Sequence, residues 1–233
     1  MLLGVVLLYV GVVLVVNGIW LIGQAQAAQA QAAATRRKVP VGASAAGHPA
    51  VDEQAAAEAA AGDELAGLSV ISVPRAEASP LFIQNREVAV LNVFTGFIGV
   101  VVALTLLVQG SIAGDLASVR GAGYILLFAF TYLWVSVNQF LNAGGRAFGW
   151  YCLFVAITAI PAGIYTLQAA DGNTALIWLG INWFAWAVLW ALFWALLVLE
   201  LPIARFTGWI AILEGIGTAW ALAIAVLEGK LSF

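Results

Sequence analysis

The chain has 233 residues, 64% of them hydrophobic and only 9% charged, with a formal net charge of −3. Water-soluble domains are about half apolar and about a quarter charged, so this composition excludes an ordinary soluble domain and belongs to a membrane protein. The small net charge, with no basic stripe, argues against nucleic-acid binding, and the single cysteine, Cys152, excludes an intrachain disulfide.

The opening segment, MLLGVVLLYVGVVLVVNGIWLIG, carries an apolar stretch long enough to cross a bilayer and lacks the basic start of a signal peptide. It predicts a first membrane helix within residues 1–23, near 2–22. Residues 24–80 differ in kind: QAQAAQAQAAATRRK and VDEQAAAEAAAGDELAG hold few large apolar side chains. This stretch reads as a low-complexity cytoplasmic insertion of low order, with a transient helix where Ala and Glu favour one. The alternative is a docking segment for a soluble partner. The only histidine, His48, lies there and reads as solvated rather than as a metal ligand. Residues 81–233 then predict five more membrane helices, near 88–108, 122–141, 147–168, 176–199 and 207–227.

An even number of crossings puts both termini on one side. Arg36, Arg37, Lys38, Arg75, Arg86, Arg146 and Arg205 follow the first, third and fifth helices, whereas Arg120 and Lys230 fall on the other side. The basic-rich side is the cytoplasmic one, which predicts both termini outside. Arg86, Arg146 and Arg205 open helices two, four and six, the last two within the pattern R-x-x-G-W. That recurrence predicts three consecutive helical hairpin repeats. A shared basic anchor and aromatic belt is the alternative reading.

Trp183, Trp186, Trp190 and Trp194 recur at i, i+3, i+7 and i+11 on the fifth helix, a single stripe. Trp186 and Trp190 fall near its middle, where an interfacial belt does not explain them. The stripe reads either as core packing or as the lining of a pore. Phe130 and Trp134 lie at i and i+4 on the third helix and add aromatic surface at similar depth. Such flat faces suit a planar solute, and indole N–H groups can donate to its oxygen.

Polar groups are sparse. Glu214 sits alone in the last apolar run, a costly place for a carboxylate. Asn17, Asn138 and Glu214 fall at similar predicted depth, within about 6–11 Å of the cytoplasmic boundary, which predicts one polar ring with Thr218 sharing its network. For Glu214 a role in the path and a role as interhelical glue stand side by side; for the asparagines glue comes first. No helix carries a row of charges, and no Walker loop, metal-ligand cluster or Ser/His/Asp set is present. Neither enzyme chemistry nor a cofactor is expected.

The segments LLYVGVVLVVNGIW, REVAVLN, LLFAFTYLWVSVN, WYCLFVAITAIPA, WFAWAVLW and IARFTGWIAILEGIGTAW resemble the AmiS/UreI family of bacterial urea and amide channels. The resemblance covers all six helices and leaves 24–80 outside it. It implies a hexameric ring in the inner membrane, with one pore through each six-helix protomer, passing neutral urea or short aliphatic amides downhill. It implies a constriction built from Leu7, Leu14, Phe130, Trp134, Trp183, Trp186, Leu189 and Trp190, with Glu214 as the family's membrane-embedded glutamate. One departure stands out: the loops near 109–121 and 169–175 are short and hold no histidine, so an acid gate is not expected. Asp115 and Asp171 remain there, and carboxylates ordinarily titrate near pH ~4. The competing functions are a proton-coupled transporter using Glu214 and a scaffold that recruits a cytosolic amidase or urease through 24–80.

Overall fold

The computed structural model describes residues 1–38 and 79–233. Helices account for nearly all of them: α1 (Leu2–Lys38), α2 (Asn85–Ala113), α3 (Leu116–Leu141), α4 (Arg146–Gln168), α5 (Thr174–Leu197) and α6 (Ala204–Leu227). All six are long and apolar enough to cross a membrane. Met1–Ala25 with Leu81–Phe233 forms one compact unit, and Gln26–Pro80 forms a second.

Local chemistry sets the helix ends. Gln84 and Glu87 form a capping box that starts α2, and Gly114, at φ 67°, ends it in the left-handed conformation that glycine adopts without strain. Asp115 caps α3 by accepting from the Ala117 amide at 2.9 Å, and Asn173 caps α5 by accepting from Leu176 at 3.0 Å.

Two features depart most from expectation. α1 does not stop near residue 22 but continues to Lys38, because Ala and Gln propagate a helix and no Gly or Pro interrupts 24–38. The rest of the expected insertion, 39–78 with His48 and Arg75, lies outside the described residues. The other difference is in α6, which is not uniform: Gly215–Trp220 forms a π segment between Ala204–Glu214 and Ala221–Leu227. Single π turns of this kind widen a helix locally and recur at functional sites.

In lipid, apolar area does not drive helices together, so close approach rests on small residues and hydrogen bonds. α2 packs on α3 and α4 on α5. A Cβ on Gly96 would meet the Leu133 side chain at 2.6 Å, one on Gly163 the Phe184 ring at 2.8 Å, and one on Gly180 Leu167 at 2.6 Å. The third close pair is α1 with α6. Gly4, Gly11 and Gly18, seven residues apart, lie against Val226, Trp220 and the Gly208 carbonyl respectively. Gly208 and Gly215 answer from α6 against Ile22 and the Gly11 carbonyl. The beginning of α1 thus meets the end of α6, and the pair is antiparallel. Two of the close pairs thus join consecutive helices, and the third joins the first and last.

The core runs down the middle of this unit. α1 supplies Val6, Leu7, Val10, Val13 and Leu14 at helical spacing, and α5 supplies Leu179, Trp183, Trp186, Leu189 and Trp190. Cys152 is fully buried on α4, as a small hydrophobe.

Candidate functional site

An aromatic layer crosses the centre of the bundle. The Phe128 ring of α3 meets three indoles of α5 edge-on: Trp183 at 5.1 Å, Trp186 at 5.2 Å and Trp190 at 4.4 Å between centroids, with interplanar angles of 72°, 70° and 87°. Trp183 and Trp186 also pack edge-to-face at 5.4 Å. Such contacts contribute about 0.5–1.5 kcal/mol each beyond buried area, so the rings hold one another in place.

Two cavities flank this layer. The first, about 480 Å³, lies toward the chain termini and is bounded by Leu7 and Val10, Tyr124 and Phe128, and Trp183 and Trp186. The second, about 230 Å³, lies on the opposite side and is bounded by Leu14, Asn17, Tyr132, Asn138, Leu189 and Trp190. Trp186 and Trp190 are one helical turn apart, so the partition between the cavities is on the order of 6 Å thick. Both linings are mostly apolar, and among the described residues Arg120 is the single Lys, Arg, His, Asp or Glu side chain in either.

One of the indoles is anchored from behind. Trp186 Nε1 donates to Thr218 Oγ1 at 2.8 Å, and that hydroxyl donates onward to the Glu214 carbonyl at 2.5 Å. Asn182 Nδ2 donates to the Thr218 carbonyl at 2.6 Å. Thr218 sits inside the π segment, so the widened turn of α6 is the element that grips α5. Tyr132 Oη, Glu214 Oε2, Trp194 Nε1 and Thr207 Oγ1 are buried without a hydrogen-bond partner among the described residues. Tyr132 also bounds the second cavity, with its hydroxyl buried.

The structure brings together Leu7, Leu14, Trp183, Trp186, Leu189 and Trp190 around the two cavities, each 7% exposed or less. Two expected members of the constriction stand elsewhere. Phe130 is 48% exposed on the outer surface and bounds neither cavity; two residues along a helix is a turn of about 200°, which carries it to the face opposite Phe128. Trp134 packs against Phe148 and Tyr151, with ring centroids 5.9 and 5.4 Å away, at the seam of α3 and α4.

The expected polar ring is also corrected. Asn17 pairs reciprocally with Asn92 of α2, at 3.1 and 2.8 Å. Asn17 and Asn138 bound the second cavity, but Glu214 bounds neither. Similar depth does not put residues of different helices on a common face. Thr218 does share a network with Glu214, through the glutamate's backbone carbonyl rather than its carboxylate. Sequence reasoning missed Phe128 and its neighbours Tyr124 and Tyr132. Their i, i+4, i+8 spacing was the available signal.

A multi-pass bundle of six apolar helices, with two internal cavities meeting at an aromatic partition, is the architecture of a membrane transport protein for small solutes. The sequence profile of the AmiS/UreI family of transporters matches residues 81–230, and the chain belongs to that family. It is 34% identical over 160 residues to the acid-activated urea channel of Helicobacter pylori, covering 59% of this chain and 82% of that one. It is 35% identical over 149 residues to a Mycolicibacterium smegmatis protein named as a transporter of amidate substrates, covering 64% of this chain and 67% of that one. The crystal structure of the Helicobacter pylori urea channel superimposes with a TM-score of 0.65 at 28% identity, over 99% of both chains. A cryo-electron microscopy structure of that channel in its closed state matches with the same score and identity, over 99% of this chain and 100% of that one.

Proposed function

We propose that the protein is a passive channel for urea or short aliphatic amides, with the path running from one cavity to the other through the Phe128 layer. The observation that carries this reading is the partition itself: one phenyl ring wedged among three indoles between two cavities. Leu7, Leu14, Trp183, Trp186, Leu189 and Trp190 form the constriction. A flat, neutral solute needs only a small ring displacement to slip between such faces. An ion meets no compensating charge there, and an uncompensated buried charge costs far more than a lost neutral hydrogen bond. Asn138, which bounds the second cavity, receives the solute's N–H groups on the far side.

The family likeness supports a homo-hexamer in the bacterial inner membrane with one path per protomer, and the basic residues support termini on the outer side. The name of the Helicobacter pylori relative supports urea, and that of the Mycolicibacterium smegmatis relative supports amides. Reconstitution into liposomes, with stopped-flow measurement of urea and acetamide uptake, tests the proposal. Non-saturating uptake that a protonophore leaves unchanged and that Trp186→Ala alters is the expected result; no uptake of either solute would defeat it.

One observation favours a second reading, a proton-coupled carrier: the buried, unpartnered Oε2 of Glu214. Uptake that saturates, and that collapses both with a protonophore and in Glu214→Gln, would select it.

A further inference from the structure

The cavity on the terminal side has a feature the partition does not need. Arg120, on the first turns of α3, is the only cationic side chain among the described residues of its lining, and its guanidinium lies 5.0 Å over the Tyr165 ring of α4. That cation–π contact joins two helices, and both Arg120 and Tyr165 are exposed. No carboxylate among the described residues pairs with it. The nearest acidic residue in sequence, Asp115, is engaged elsewhere, accepting from the Ala117 amide at 2.9 Å and the Ser118 hydroxyl at 2.6 Å. Below the guanidinium the wall is almost entirely apolar, with Tyr124, Leu176 and Leu179.

We propose that this cavity is a binding site for monocarboxylates with a short apolar tail, which occupy it without passing. A guanidinium offers a planar fork of donors matched to a carboxylate, and such charge-assisted pairs are about twice as strong as neutral ones. An apolar chamber of about 480 Å³ has room for a tail of several carbons. The partition beyond holds no positive charge, so the anion stays on the Arg120 side and obstructs the path. With the termini on the outer side, carboxylates outside the cell reach this cavity, and their binding would restrain amide uptake. That last consequence rests on the channel proposed above; the binding site does not.

The test uses the full chain in lipid nanodiscs, with hexanoate as the probe and hexanamide and hexylammonium as neutral and cationic controls, read by ligand-observed saturation-transfer NMR. Hexanoate should bind the wild type, hexylammonium should not, and Arg120→Gln should weaken hexanoate binding about tenfold while leaving hexanamide unchanged. Arg120→Lys, which keeps the charge but loses the fork, should fall between them. In liposomes the ratio of urea uptake with and without hexanoate should be well below one for the wild type and return to one in Arg120→Gln. No hexanoate binding to the wild type, or binding that Arg120→Gln leaves intact, overturns the site; the first is the outcome if a lipid phosphate holds the guanidinium instead. Because binding is read without flux, hexanoate binding to a protein that passes no urea defeats the channel reading and spares the site.

Discussion

Asn17 of α1 and Asn92 of α2 hold each other through two side-chain hydrogen bonds, and Asn92 Nδ2 donates a further bond, at 2.8 Å, to the Val88 carbonyl of its own helix. Asn92 is completely buried, so its amide has no recourse to water. Interhelical bonds of this kind contribute about 0.6–2 kcal/mol, whereas leaving one partner unpaired costs about 1–3 kcal/mol. Asn17→Leu alone, which strands the buried Asn92 amide, should therefore lower the thermal midpoint in detergent more than the double change Asn17→Leu, Asn92→Leu. Equal losses in the two proteins would show that the pair is not a coupled unit.

Phe128 and Phe130 make a discriminating pair of substitutions. Phe128→Ala removes the ring that three indoles enclose, opening the partition; urea uptake should rise and solutes about one methylene larger should gain about tenfold relative to urea. Phe130→Ala, on the outer face, should change uptake less than about twofold. Relative rates across a series from acetamide to butyramide decide the matter, and the opposite ranking would place the path elsewhere.

The α1/α6 seam should tolerate no side chain. A Cβ at Gly18 would lie 2.5 Å from the Gly208 carbonyl oxygen, a backbone atom that cannot move aside alone. Gly18→Val should sharply reduce the yield of folded protein on size-exclusion chromatography, with overpacking costing about 1–3 kcal/mol or more. Gly121→Ala is the control: nothing lies within 4 Å of a Cβ there, and yield should be unchanged.

Uptake should be flat across mildly acidic pH. The side chain of Ser118, with the Ser118 and Ala117 amides, holds the Asp115 carboxyl below the usual carboxylate range. Its folded value lies below its unfolded one, so its capping contribution is complete above the unfolded value and is lost only as pH falls through the folded one. From pH ~8 down to ~5 that contribution is constant, and the part of the thermal midpoint that Asp115→Asn removes should fade only below pH ~4. A steep rise in uptake between neutral pH and 5 would contradict this and align the protein with its acid-activated relative.

What the sequence made legible, and what it did not, follows from lipid being as apolar as a protein core. Six helices stand out by hydropathy alone, and the tryptophan stripe of α5 is legible because a Trp far from the interface has few reasons to be there. The facing of α3 was not: in the run Phe128-Ala129-Phe130 either phenylalanine satisfies an apolar environment, and polarity does not mark which side is solvent. The tyrosines at i−4 and i+4 from Phe128 were the better guide. Asn92 escaped notice because one asparagine in a helix has many partners to choose from until the helices are placed. The π segment was equally hidden, since Gly215 and Gly217 permit a widened turn without demanding it, and Asn182 and Trp186 fix it from another helix.

The antiparallel zip of α1 onto α6 carries a consequence for biosynthesis. The surface that receives the first helix is made last, after four intervening helices have entered the bilayer. Until then the ridge Gly4–Gly11–Gly18 faces lipid, a groove without its tongue. A chain truncated before α6 leaves that ridge uncovered.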